Sequence, residues 1–325
     1  MDLQLPDETD LLTEIAMAYY QNGATQEEIS KRFAVSRIKV GRLLRKAREE
    51  GIVEITVKYH PVFSANLEQQ LIDRFGIKRA LIALDQPHEE EQRSLVAGLV
   101  SGYLSNALTD DTVVTVGQGR NISAVAEYMG VTAKRNCRFV CGIGGIHPRG
   151  GLTNADHICR QLVKKFGGSS ETLYAPAFVN DPTIRASLMA NPTITQTLDL
   201  ARKADMALVG VGDMSSNSYM VDLGWFSAQE VSDARMHHGV IGDIAGYDFF
   251  DIHGNTSHNI MSDRIIGLNI EEFKQIPEVI AVASESSKSL SLLGALRTGV
   301  IDVLATSVSN AMAIINLDDL KQNKA

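Results

Sequence analysis

Two groups of residues in this 325-residue sequence have the types and spacing to do chemistry. The first is a run of cations. Lys31, Arg32, Arg37, Lys39, Arg42, Arg45, Lys46 and Arg48 fall within eighteen residues that hold no Asp or Glu. Clustered Lys and Arg bind phosphodiesters by neutralising them and releasing counterions. The second group is a set of glycine turns, Gly117-Gln118-Gly119-Arg120, Gly142-Ile143-Gly144-Gly145 and Gly210-Val211-Gly212-Asp213, each placed after a short apolar run. The first turn opens a helical stretch, so exposed N–H groups at the helix start, with Arg120 as a charged donor, would form an anion site. Asp243 in Gly242-Asp243-Ile244 and Lys288 at a helix start each follow an apolar or glycine segment. A lone charge in that setting faces either a pocket or an ion-pair partner.

Other constellations fail on spacing. Ser123 and Ala124 follow Gly117-Gln118-Gly119, but no acidic ribose partner stands on a following strand, and the P-loop pattern is missing. No nicotinamide or other cofactor is expected. Cys137, Cys141 and Cys159 with His147 and His157 match no zinc signature, so no metal is expected and the cysteines read as buried apolar residues. His237, His238, His253 and His258 fall in a loop-rich region and read as surface histidines. Asp243, His237 and Glu285 are candidate acids and bases, but nothing pairs them, so no catalytic residue is assigned.

The elements that must position these residues are legible in the pattern. Residues 8–21 carry an apolar helical stripe that Asn22-Gly23 ends. Thr25 with Glu28 three positions on is a capping box, opening a short helix to about Phe33. Ala34-Val35-Ser36 makes a turn, and Ser36 caps a basic helix running to Glu50. A capped helix, a turn and a cationic second helix form a helix-turn-helix. Its first helix would bury Ile29 and Phe33, and its second Ile38, Leu43 and Leu44. Arg37, Lys39, Arg42 and Lys46 would then be available to DNA. By helical position, Ser36, Arg37, Lys39 and Val40 are expected at base edges and Arg32, Arg45 and Arg48 at phosphates, with Gln26 able to reach either. Residues 52–57 alternate as a strand, half of a small wing, and residues 66–75 read as a connecting helix.

From about residue 78 the pattern changes to short apolar runs (79–84, 113–116, 138–141, 206–209, 279–282, 303–305) alternating with helical stretches (91–107, 123–129, 155–166, 192–204, 288–298, 309–317). Val- and Ile-rich runs flanked by Gly are the mark of buried parallel strands joined by helical crossovers, a doubly wound α/β domain. Three glycine turns after three strands would gather at the sheet edge where such folds bind ligands. The expected domains are a helix-turn-helix over 1–58, a linker helix over 59–77 and an α/β effector domain over 78–325.

In this order the motifs resemble one family, the SorC-type (SorC/DeoR-like) sugar-responsive bacterial transcriptional regulators. The likeness is carried by residues 23–30 and 35–44, then by Gly142–Gly145, Asn154-Ala155-Asp156-His157, Ala175–Phe178, Gly210-Val211-Gly212, Gly242–Ile244, Phe249–Gly254 and Lys288, and it spans essentially the whole chain. The resemblance implies an effector domain similar in fold to sugar-phosphate isomerases, a homotetramer, and a sugar, polyol or phosphorylated derivative that alters the grip on operator DNA. Carried over by position, Gly117, Gln118, Gly119 and Ser123 line the first loop, and Gly144 and Gly145 the second. Asn154 and Asp156 flank the ligand, Asp243 accepts hydrogen bonds from its hydroxyls, and Lys288 meets its phosphate. The sequence departs from the family at Tyr247-Asp248, at Ala283-Ser284-Glu285, where a Gly-Gly pair is common, and at Thr306–Asn310, which lacks the usual acid. Glu285 so close to Lys288 would repel phosphate. The alternative reading is a sugar-phosphate isomerase or deaminase-like enzyme with a DNA-binding appendage.

Composition fits a globular chain: 44% hydrophobic, 22% charged, mean hydropathy −0.03. Three cysteines suit a reducing compartment, four acids in the first ten residues oppose a targeting peptide, and no apolar run approaches a membrane span. A cytoplasmic protein with no membrane partner is expected. The net charge of −8 discourages nucleic-acid binding only as an average, because all cations of residues 1–60 except Lys58 lie in the one basic segment.

Overall fold

A computed structural model describes residues 8–53, 61–130, 132–145, 148–215, 219–246, 248–256 and 261–322. The chain divides into two compact units, 1–58 and 59–325, each with its own apolar core.

In the small unit α1 (Glu8–Ala16) continues as a π-helical turn, Met17–Gln21, and is followed by α2 (Gln26–Arg32) and α3 (Arg37–Glu49). Both expected caps form. The Glu28 N–H donates to Thr25 Oγ1 at 3.3 Å while the Thr25 N–H donates to Glu28 Oε2 at 2.8 Å, and the Lys39 N–H donates to Ser36 Oγ at 3.2 Å. Ala34 turns the chain with a positive φ of 52°. Leu12, Ile15, Ile29, Val40, Leu43, Leu44 and Ala47 make the core. The expected wing strand is not seen at Ile52 and Val53, and residues 54–57 lie outside the described residues.

One expectation reverses here. Ile38 is 75% exposed and Val40 is fully buried. At 3.6 residues per turn, positions 40, 43, 44 and 47 share one face, and Ile38 lies about 200° round from Val40.

The larger unit holds, among its described residues, the strands β1 (Arg79–Ala83), β2 (Val113–Val116), β3 (Arg138–Cys141), β4 (Ser169–Glu171), β5 (Met206–Asp213), β6 (Val240–Ile244), β7 (Asp248–Asp251), β8 (Glu278–Val282) and β9 (Val303–Ser307). Its helices are α4 (Pro61–Phe75), α5 (Glu89–Ala107), α6 (Arg120–Glu127), α7 (Ala155–Phe166), α8 (Pro182–Met189), α9 (Pro192–Arg202), α10 (Tyr219–Asp222), α11 (Ala228–His238), α12 (Ile270–Phe273), α13 (Ser289–Arg297) and α14 (Val308–Gln322). Seven strands pair in the order β1-β9-β8-β5-β2-β3-β4, all parallel, and an antiparallel hairpin of β6 and β7 adds to the end of β5.

The six expected strands are all present; β2, β3, β5, β8 and β9 lie inside the sheet and are mostly buried on both faces, while the edge strand β1 alternates less fully, with Ala80 and Ala83 buried and Leu81 and Ile82 half-buried. Those not foreseen lack that pattern: β4 is Ser-Ser-Glu at a sheet edge, and β6 carries a glycine and an aspartate. The region expected to be loop-rich contains α11, a helix opened by a Ser227/Glu230 capping box and burying only Val231, so its sequence shows no apolar stripe. The helix expected as a linker, α4, lies in the larger unit and buries Leu67 and Leu71 in its core.

Candidate functional site

The order in which the chain adds strands reverses between the parallel neighbours β2 and β5. From β2 the chain winds outward through β3 and β4, and from β5 it winds the other way through β8 and β9. Loops leaving the carboxyl ends of β2 and β5 therefore part, and a crevice opens at that switch point. A cavity of about 110 Å³ lies there, lined by Gln118–Ile122 after β2, Gly210–Asp213 at the carboxyl end of β5, Ser215 just beyond it, Met220, Asp243, Gly246, Glu285 and Lys288.

Asp243 is 1% exposed and sits on β6, paired across to Gly212 on β5 and Phe249 on β7. A Cβ at Gly212 would overlap its carboxylate, so the glycine makes the room the acid occupies. Burial raises the Asp243 carboxyl to about 7, against the opposing pull of Lys288 and a hydrogen bond donated by the Gly246 N–H. Among the described residues its Oδ1 has no hydrogen-bond partner, and neither has either amide atom of Gln118, a residue 5% exposed. Buried polar atoms without partners are rare and costly, and these three face one cavity. Such atoms can give and accept hydrogen bonds with a polar group entering the cavity.

The opposite wall is ionic. Glu285, 6% exposed, accepts from Asn121 Nδ2 at 2.9 Å and pairs with Lys288 Nζ at 3.2 Å, both through Oε2. Arg120 and Arg93 stand 3.7 and 4.0 Å from Oε1. Burial alone would raise this carboxyl, but Lys288 and the Asn121 amide overcome it and hold the group down at about 2. Ser284 Oγ donates to Asn121 Oδ1 at 2.7 Å, and Asn310 Nδ2 donates to the Glu285 carbonyl at 3.1 Å.

Of the residues expected at the effector site, Gln118, Gly119, Arg120, Asp243 and Lys288 meet at this cavity, while Gly117, Ser123, Gly144, Gly145, Asn154 and Asp156 do not line it. Gly117 is packed on Leu208 and Val209 of β5. The Ser123 hydroxyl is taken up by the Leu152 carbonyl and Glu127. The second glycine turn is structural: the Gly144 N–H donates to the Ile266 carbonyl and the Gly145 N–H to Ala175, leaving neither for an anion. Asn154 is at the N-cap position of α7, and Asp156 on α7 pairs with Arg160. Lining residues that the sequence reading did not assign to the site include Asn121, Met220, Gly246, Glu285 and the four residues Gly210–Asp213. The third glycine turn was the available signal for those four.

His237, His238 and His253 are exposed and line none of this cavity, while His147 and His258 lie outside the described residues. Cys137, Cys141 and Cys159 are buried, the latter two with sulfurs 3.9 Å apart. In the small unit, Arg37, Lys39, Arg42 and Arg45 are exposed, Lys46 is half-buried beside Glu50, and Gln26 lies over Gly41 of α3. Val40 must be withdrawn as a base contact, since its side chain is in the core.

Gly212→Ala is expected to force the Asp243 carboxylate aside, at a cost of about 1–3 kcal/mol in urea unfolding. A variant as stable as the parent would mean that the strand pair relaxes to admit the methyl.

Residues 59–316 match the family described as "Putative sugar-binding domain". The chain belongs to this family. A solved structure titled as the "putative sugar-binding domain" of a transcriptional repressor from Vibrio fischeri is 57% identical, with a TM-score of 0.75 over 78% of this chain and 99% of that one. The full-length sorbitol operon regulator SorC from Klebsiella pneumoniae is 26% identical, with a TM-score of 0.73 over 96% of this chain and 100% of that one. The erythritol catabolism regulatory protein EryD from Brucella abortus is 25% identical over 302 residues, 92% of this chain and 94% of that protein. The SorC-type resemblance and the α/β fold class therefore stand for this sugar-binding-domain protein. The relatives are named as regulators, in keeping with a role outside catalysis.

Proposed function

We propose that the chain is a DNA-binding transcriptional regulator of a carbohydrate or polyol operon, controlled by a sugar, polyol or related effector bound in the larger unit. The observation that carries the effector half is the switch-point cavity into which Gln118 and Asp243 present buried polar atoms without partners. Support for the DNA half is the cationic helix α3 behind a capped turn. The relatives' names as repressor, operon regulator and catabolism regulator support the same reading and give none to the enzyme alternative. Residues 1–58 act as the DNA-binding domain and 59–325, α4 included, as the effector domain. The assembly is a homotetramer working in the cytoplasm beside its operator; among the described residues no helix is long and apolar enough to cross a membrane.

On α3 the face opposite the core carries Ile38, Arg42 and Arg45, flanked by Arg37 and Arg48 on one side and Lys39 and Lys46 on the other. In this proposal the central face enters the major groove, Arg42 reads a base edge and Ile38 meets a thymine methyl, while the flanks, with Ser36 and Gln26 near the helix start, meet phosphates. Effector binding at Gln118, Gly119, Arg120, Asp243 and Lys288 then shifts the balance between DNA-competent and incompetent arrangements.

Fluorescence anisotropy with DNA from upstream of the controlled operon tests this. Arg42→Ala is expected to cost about 1–3 kcal/mol on the preferred site and to flatten sequence preference. Arg48→Ala should weaken all sequences alike and reduce the salt slope by about 1. Absence of salt-dependent DNA binding would remove the DNA half of the proposal.

A further inference from the structure

The cavity is not the cationic cradle that a phosphorylated effector needs. Its charged lining among the described residues is Arg120 and Lys288 against Asp213, Asp243 and Glu285, a formal charge of −1 with Asp243 ionised and zero with it protonated. Arg93, outside the lining, adds one more cation only through its approach to Glu285. The positive groups that would meet a phosphate are already turned on a carboxylate of the chain itself. Lys288 Nζ and Asn121 Nδ2 hold Glu285 Oε2, and Arg120 and Arg93 approach Oε1.

That carboxylate is fixed in place. Asn310 holds the Glu285 backbone carbonyl, and Ser289 Oγ in turn donates to Asn310 Oδ1 at 2.8 Å. Ser284 orients the Asn121 amide so that its NH₂ faces Glu285. The group is buried and ionised. An entering phosphate would have to share donors with a fixed like charge at hydrogen-bond range, which electrostatic complementarity opposes. What lacks a hydrogen-bond partner in the cavity lining, among the described residues, is the Gln118 carboxamide, able to donate and accept, and two carboxylate oxygens, Asp243 Oδ1 and Glu285 Oε1, able only to accept when ionised. Donor–acceptor pairs of that kind suit hydroxyl groups.

We infer that Glu285 fills the anion site of this pocket and that the effector is an uncharged polyhydroxy compound, a free sugar or polyol, rather than its phosphate ester. This rests on the proposal that the cavity is the effector site.

Thermal unfolding of the full-length protein with inorganic phosphate as the probe, at matched ionic strength, tests the inference without the effector's identity. The parent is expected to be unmoved. Glu285→Gln keeps the side chain's size and removes its charge, and should gain stabilisation by phosphate, with affinity raised about ten-fold or more; Glu285→Ser serves if the first variant folds poorly. Phosphate stabilisation of the parent that disappears in Lys288→Met overturns the inference, as does a folded Glu285 variant that gains nothing. The effector-site reading fails separately, if Asp243→Asn and Gln118→Ala leave the protein's response to a panel of free sugars and polyols, D-sorbitol and erythritol included, unchanged.

Discussion

Asp243→Asn is expected to make the protein more stable than the parent at pH 8 while weakening its hold on the effector. The direction follows from where the carboxyl titrates. Burial lifts it to about 7 in the folded chain, Lys288 and the Gly246 N–H pull it part of the way back, and Asp213 and Asp248 push it up again. An unfolded Asp titrates near 3.9. Between about pH 4 and 7 the folded protein therefore keeps a proton that the unfolded chain has released, and stability falls as pH rises through that window. The total is of the order of a few kcal/mol, since each tenfold change in the acidity of the group is worth about 1.4 kcal/mol. Asparagine cannot ionise, so this fall should flatten in urea titrations taken from pH 5 to 8. Glu285 acts in the opposite sense. Its carboxyl is held down at about 2, and the stability it contributes above its ordinary range is lost as pH falls toward that value.

If the effector binds in this cavity as proposed, the same group links protons to it. A hydroxyl donating to Asp243 Oδ1 favours the ionised carboxylate, so binding should release a fraction of a proton near pH 6–7 and tighten as pH rises through about 7. Calorimetry in two buffers of different ionisation enthalpy reads that proton. In Asp243→Asn the release should vanish and affinity should drop by about 1.5–3 kcal/mol, the range for hydrogen bonds to a charged group. A variant less stable than the parent at pH 8 would mean that the ionised carboxylate is already satisfied in the folded protein.

What could be read from the sequence depended on whether a residue's role is settled by its neighbours in the chain. The parallel strands were legible because burial on both faces writes a continuous apolar run, as in Val113–Val116. The caps at Thr25 and Ser36 were legible because their partners stand three residues away. Gly144 and Gly145 look locally like a phosphate cradle, and only Ala175 and Ile266, brought from remote segments, decide that their N–H groups are taken. Glu285 shows the same limit. Its closeness to Lys288 is visible in the sequence and suggests repulsion of a phosphate, but Asn121, Arg93 and Arg120 reach it from α5 and the start of α6. The strand β6 was hidden by its composition, since a buried acid and the glycine beside it break the apolar pattern. Ile38 and Val40 exchange roles through helical phase alone, because a two-residue error turns a side chain to the opposite face.

That phase assignment has a large consequence. Val40→Asp is expected to unfold the small unit and abolish DNA binding, while its exposed neighbour in Lys39→Asp loses DNA affinity with the fold intact. Val40 is fully buried among Leu12, Ile15, Ile29, Leu43 and Leu44, and among the described residues no cation belongs to that core. An unpaired buried charge costs several kcal/mol, which exceeds the stability a core of this size supplies. The larger unit has a separate core, so it should keep its sheet and its response to the effector. Circular dichroism of Val40→Asp should therefore lose only the helical signal of α1, α2 and α3, and DNA affinity in anisotropy should fall at least about 100-fold, whatever the DNA sequence. If Val40 instead touched a base, the milder Val40→Ala would change sequence preference and leave the unfolding midpoint alone. Burial predicts the reverse, a loss of about 1–2 kcal/mol in stability with preference unchanged.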